Sequence, residues 1–199
     1  AHEKVLETVM KEFTLLPVRF GTVANSASPA ENIRRLLESR GDEFRKLLKD
    51  MDGKAELGVK AFWRDEKSIF EEIVAENAAI RKLRNSLASR PREALRFEGI
   101  PLGRMVKEAL DRKRSQEASR IMLPLSPIAE DVRENPVLTD RMVVNAAFLV
   151  DKRREPEFDQ AVSRLEEQLG GRIAFKYVGP VPPYNFVNIV VNWQEAGQG

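Results

Sequence analysis

Between Lys54 and Trp63 an apolar residue recurs at every second position. Ala55, Leu57, Val59, Ala61 and Trp63 fall on one side, with Lys54, Glu56 and Lys60 on the other. Successive side chains of a strand point to opposite faces, so this pattern reads as a half-buried β-strand whose apolar face must be covered. Phe62 and Trp63 are neighbours and face opposite ways, which asks for aromatic packing on both sides of a helix-covered sheet. Whatever else the chain does, it has to build a layer over this strand.

The flanking segments supply helices for that layer. Val5, Leu6, Val9, Met10 and Phe13 show helical spacing over residues 3–13. Residues 15–23 are short and β-leaning, and Pro17 lacks a ladder donor, so an edge strand or a bulge is expected there. Ser28, Pro29 and Glu31 read as a capping box opening one helix with Ile33, Leu36, Leu37, Phe44, Leu47 and Leu48 on its apolar face. Gly53 is its expected stop. Beyond the strand, Ile69, Ile73, Ile80, Leu83 and Leu87 predict one long helix ending before Pro91. A second helical region is expected from Pro101 to Met122, interrupted by Pro124 and Pro127, with Ser126 capping a short helix through Val132. Residues 142–150 read as a strand, and Glu155 opens a helix carrying Phe158, Val162, Leu165 and Leu169 that stops at Gly170-Gly171. Strands are expected at 172–178 and 186–192, joined by a proline-rich corner. The expected class is α+β, with helices covering an antiparallel or mixed sheet.

Composition removes many chemistries. The formal charge is +2, with 33 Lys and Arg against 31 Asp and Glu. That balance argues against a dedicated nucleic-acid binder. There is no cysteine, hence no disulfide, thiolate metal site or cysteine nucleophile. No apolar run approaches the roughly 20 residues needed to cross a bilayer, so no lipid membrane partner is expected. The single histidine, His2, reads as a solvated side chain near the start of the chain. The opening Ala-His-Glu-Lys, without an initiator Met, reads as a fragment whose start lies upstream. Phosphate-loop, dinucleotide and nucleophile-elbow motifs are absent from the sequence. Glu71-Glu72 and Glu166-Glu167 sit on predicted helices, where neighbours diverge by about 100° and make no dyad. Asp111-Arg-Lys-Arg114 is flanked by Glu108 and Glu117 and reads as a salt-bridged surface. No catalytic residue, metal or cofactor is expected.

Two backbone-rich stretches remain. Arg19 lies in an apolar run beside Pro17 and Gly21, projecting either from the outer face of a strand or toward a carboxylate such as Glu56. In Gly179-Pro-Val-Pro-Pro-Tyr-Asn-Phe186 the prolines force extended backbone on the residues before them. On an extended chain Tyr184 and Phe186 would share a face. The corner serves either as a clip that sets the register of the last hairpin or as a surface presenting Tyr184.

These stretches carry a resemblance. Gly179-Pro-Val-Pro-Pro-Tyr-Asn-Phe186 looks like the C-terminal signature of the gas vesicle GvpF/GvpL family. Leu16-Pro-Val-Arg-Phe-Gly-Thr22 and Gly53-Lys-Ala-Glu-Leu-Gly-Val-Lys60, followed by Phe62-Trp63, resemble two further motifs of that family. Segments at 2–6, 145–149 and 155–158 are similar as well, and all occur in order. The family-motif residues carried over are Pro17, Arg19, Phe20, Gly21, Glu56, Lys60, Trp63, Gly179, Pro182, Pro183, Tyr184 and Phe186, as candidates for protein interaction. Members usually begin further upstream, with an N-terminal strand that this chain lacks.

The resemblance implies an N-terminal α+β domain, here truncated, followed by a ferredoxin-like α+β domain with an inserted helical extension. The expected division is 1–53, 54–193 with the extension over about 66–135, and a tail at 194–199. The sheet would comprise 54–63, 142–150, 172–178 and 186–192. It also implies a non-enzymatic accessory protein of gas vesicle assembly. Its partners would be the small hydrophobic shell protein and other accessory proteins, its place the cytoplasm and the vesicle, with the gas-facing surface as one site. The alternative class is a small-molecule-sensing module, by analogy with other ferredoxin-like domains.

Overall fold

In the computed structural model, β1 (Lys54–Trp63) is a central strand. The structure describes residues 2–18, 21–22, 28–88, 90 and 92–189. Before β1 come α1 (His2–Val9), α2 (Pro29–Ser39) and α3 (Gly41–Met51). After it follow α4 (Glu66–Glu76), α5 (Ala78–Ala88), α6 (Arg92–Leu125), β2 (Asp131–Glu134), β3 (Met142–Asp151), α7 (Glu155–Leu169) and β4 (Ile173–Val181). The strands form one antiparallel sheet in the order β2-β3-β1-β4. From β1 onward the succession is β-α-β-β-α-β, the ferredoxin-like arrangement, with three helices in the first crossover.

The alternation in β1 does what its pattern requires. Leu57, Val59, Ala61 and Trp63 are buried with Val144, Ala146 and Phe148 of β3, which lie opposite on the same face. Ile69, Ile73, Ile80, Ile121, Leu125, Phe158 and Val162 from the helices complete this core. Phe148 and Phe158 pack at 5.0 Å with their rings tilted by 59°, a favoured aromatic geometry. The helical layer is also tied to the sheet by charge. Arg172, just before β4, grips Glu72 of α4 with both terminal guanidinium nitrogens and reaches Glu117 of α6 at 3.1 Å. Lys113 of α6 donates to Glu72 at 3.0 Å and Glu76 at 2.8 Å.

Several expectations are corrected. The long helix over 69–87 is two helices, because Asn77 leaves helical geometry at φ −112°, ψ 98°. Its side-chain amide competes for the carbonyl of Ile73 at 2.8 Å, while its own carbonyl accepts from Arg81 as α5 begins. The helix over 29–51 likewise breaks at Arg40 before Gly41. The capping box does not form: the Ser28 side chain makes no cap, and Glu31 pairs with Arg35 at 3.1 Å. Helix α6 starts at Arg92, not at Pro101, and continues through Pro101 and Pro124. Ser126 bonds back to Met122 and opens only a 3-10 turn, Ser126–Ile128. Val132 then lies in strand β2 opposite Phe148, since pairing with β3 outweighs helical propensity.

Residues 15–18 form no strand. Leu16 packs instead against the cluster of Met51, Leu149 and Val187, beside the buried Pro17. The other residues of that expected strand lie partly outside the described residues. The expected strand 186–192 is a turn at 184–186 and irregular at 187–189, with 190–192 outside the described residues. Pro182 and Pro183 offer no ladder donors. The fourth strand of the sheet is therefore β2.

Candidate functional site

Glu56 is the buried carboxylate around which one end of the sheet is organised. It lies on the face of β1 opposite the helices and is only 4% exposed. Strand alternation places it there, and a buried charge of this kind requires donors. Asn185 supplies them: its backbone N–H donates to Oε2 at 2.7 Å and its side-chain amide to Oε1 at 2.6 Å. Asn135 in turn donates to Asn185 Oδ1 at 3.2 Å. Burial pushes the Glu56 carboxyl above the usual carboxylate range, with the Asn185 bonds pulling the other way.

The corner that delivers Asn185 leaves β4 at Val181, which pairs with Glu56. Gly179 has φ +136°, and a Cβ there would come within 2.8 Å of Leu57 Cδ2 and 2.9 Å of the Glu56 carbonyl oxygen. Only glycine lets the chain pass this close to β1 in that conformation. The turn closes through N–H donation from Phe186 and Val187 to the carbonyl of Pro183, at 3.2 and 3.1 Å. Because 184–186 is a turn, Tyr184 and Phe186 do not share a face. Tyr184 is 38% exposed, whereas Phe186 packs against the cluster of Met51, Leu149 and Val187 with the Arg133 guanidinium 6.0 Å from its ring centre. Among the described residues the final hairpin whose register the corner was expected to set does not form; the corner is instead fastened to β1 through Asn185 and Glu56.

The structure gathers Glu56, Gly179, Pro182, Pro183, Tyr184 and Phe186 at this end of the sheet, and Leu16 brings Pro17 to the same cluster. Lys60 sits midway along β1, opposite Asn145 and Lys176. Trp63 is at the far end, 1% exposed beneath the Arg172 guanidinium at 5.1 Å. Gly21 stands in a turn at φ +85°. Arg19 and Phe20 lie outside the described residues, and the Arg19–Glu56 pairing with them. The residue missed in the sequence is Asn185; its signal was that it is the one polar side chain between the two aromatics of the corner.

No helix among the described residues is long and apolar enough to cross a membrane. A family model described as "Gas vesicle synthesis protein GvpL/GvpF" matches residues 1–188. The chain belongs to the GvpL/GvpF family. Gas vesicle protein F of Microcystis aeruginosa is 29% identical over 191 residues, covering 95% of this chain and 76% of that protein. Gas vesicle protein F of a Streptomyces species is 31% identical over 189 residues, covering 94% and 76%. The crystal structure of GvpF from Anabaena superposes with a TM-score of 0.80 at 28% identity, covering 96% of this chain and 77% of that one. The matched region includes both Glu56 on β1 and Asn185 on the corner.

Proposed function

We propose that this protein is a non-enzymatic accessory protein of gas vesicle assembly that holds the small hydrophobic shell subunit and other accessory proteins while the shell is built. Membership of the GvpL/GvpF family over residues 1–188 carries the reading. An unassembled shell subunit exposes apolar surface and strand edges, which aggregate unless another protein covers them. In this reading the chain divides at Gly53, with 1–53 the remainder of an N-terminal domain and 54–193 the ferredoxin-like one, and it stays on the gas-facing side of the vesicle.

Features of the chain fit a protein that works by surface. Helix α2 buries no residue and presents Ile33 and Leu37, 45% and 55% exposed. Val5 and Phe13 are 60% and 65% exposed. At the other end of the chain Tyr184 stands out from a corner that is already held by Glu56, so little entropy is lost when a partner packs on it. Phe186 supports the corner from within.

The test is co-purification of the shell subunit with three variants that keep their fold: Tyr184→Ala, Phe186→Ala and Ile33→Asp/Leu37→Asp. Reduced recovery with Tyr184→Ala or the α2 variant is expected. Full recovery with all three would remove both surfaces from the proposal.

A further inference from the structure

Positive charge is concentrated in one part of this nearly neutral chain. Residues 78–107 hold eight Lys and Arg against two Glu. Helix α5 contains no acid at all, so its cations have no i,i+4 partner of opposite sign. Arg81, Lys82 and Arg84 are exposed; Arg81 bonds to the carbonyl of Ala75 and Arg84 to Asn85. Further along the hairpin Arg104 is exposed as well, and neither Lys82 nor Arg104 meets a carboxylate among the described residues. From Lys107 onward the pattern reverses, and Lys107, Lys113, Arg114, Arg120 and Arg172 are all paired with acids.

The complementary charge lies in the same chain. Helix α7 holds five acids and one Arg. Phe158, Val162, Leu165 and Leu169 are its buried face. Glu166 and Glu167 are exposed, and Asp159 is exposed while accepting from the Tyr177 hydroxyl at 2.6 Å. Among the described residues no salt bridge joins α5 to α7. The end of α7 approaches α6 at Glu117, through Arg172, and Arg104 is about 20 Å further along that helix. That distance is about two and a half Debye lengths at physiological salt.

We propose that the α5–α6 hairpin is an electrostatic docking arm, and that its occupant is the acidic outer face of α7 in a second copy of this chain. The contact is head-to-tail: each copy offers one arm and one α7, so association extends beyond a dimer as concentration rises. This property is independent of shell binding.

Analytical ultracentrifugation of the whole chain at about 100 µM, in about 50 mM and about 500 mM salt, reads it directly. Weight-average mass should exceed that of the monomer at low salt, and the apparent Kd should weaken by about tenfold or more at high salt. Lys82→Glu/Arg84→Glu and Glu166→Lys/Glu167→Lys should each be monomeric at low salt with unchanged thermal unfolding, since all four side chains are exposed. Mixing the two variants should restore association, because the arm of each then opposes the α7 of the other. A chain that is monomeric at both salts overturns the proposal, including one that instead binds DNA or anionic vesicles. Association that persists in either variant alone, or variants that stay apart when mixed, overturns it as well.

Discussion

Replacing Glu56 by alanine decides whether the 182–187 corner is held by this carboxylate. The substitution leaves the Asn185 backbone N–H and its side-chain amide without the acceptor they now meet at 2.7 and 2.6 Å. Hydrogen bonds to a charged group are each worth about 1.5–3 kcal/mol. Part of that is returned, because the alanine variant no longer buries a charge that burial disfavours. A net loss of about 2–4 kcal/mol follows, a large share of the roughly 5–15 kcal/mol that holds a domain together. Urea denaturation measures the loss, and amide exchange should show residues 182–189 opening before β1 and β3. Glu56→Gln adds a pH test. The folded carboxyl lies above its ordinary value of 4.5, so the folded state binds the proton more tightly than the unfolded one. The stability so contributed is complete below 4.5 and declines as pH rises through the folded value; the Gln variant should lose that slope. If Glu56→Ala costs less than about 0.5 kcal/mol and leaves exchange at 182–189 unchanged, this carboxylate does not hold the corner.

Gly179→Ala should destabilise by about 2 kcal/mol or more in the same assay, because a Cβ at φ +136° meets Leu57 and the Glu56 carbonyl at under 3.0 Å. Arg172 and Lys113 hold the Glu72 carboxyl at about 2, against an ordinary 4.5. Its contribution is therefore present above 4.5 and lost as pH falls toward 2; Glu72→Gln should remove about 1–2 kcal/mol at neutral pH, allowing for screening at its exposed edge, and flatten acid unfolding in that window.

How far the sequence reaches depends on what holds each element. Strand β1 was legible because its alternation, from Leu57 to Trp63, is also its burial pattern. Helix α7 was legible because Phe158, Val162, Leu165 and Leu169 repeat with its turn and Gly170 ends it. Where a local side-chain bond competes with the backbone, periodicity misleads: Ile73 and Ile80 stay in one core although Asn77 separates their helices. Strand β2 has four residues and exists through pairing with β3, a contact remote in sequence. The site shows the same division. Glu56 stood out as a carboxylate on the polar side of a strand, but its partner is Asn185, and nothing local announces a bond across that separation. Tyr184 and Phe186 were paired on the assumption of extended chain, which the turn at Pro183 removes.

Glu56 and Asn185 are 129 residues apart. On the ribosome, therefore, β1 emerges long before the amide groups that bond its carboxylate, and that end of the sheet stays open until the corner has been made. A product that stops short of the corner would leave Glu56 to water and the apolar side chains of Met51 and Leu149 uncovered, which marks it out for quality control. The order of synthesis thus makes the turn at 184–186 a check on whether this end of the sheet has been sealed.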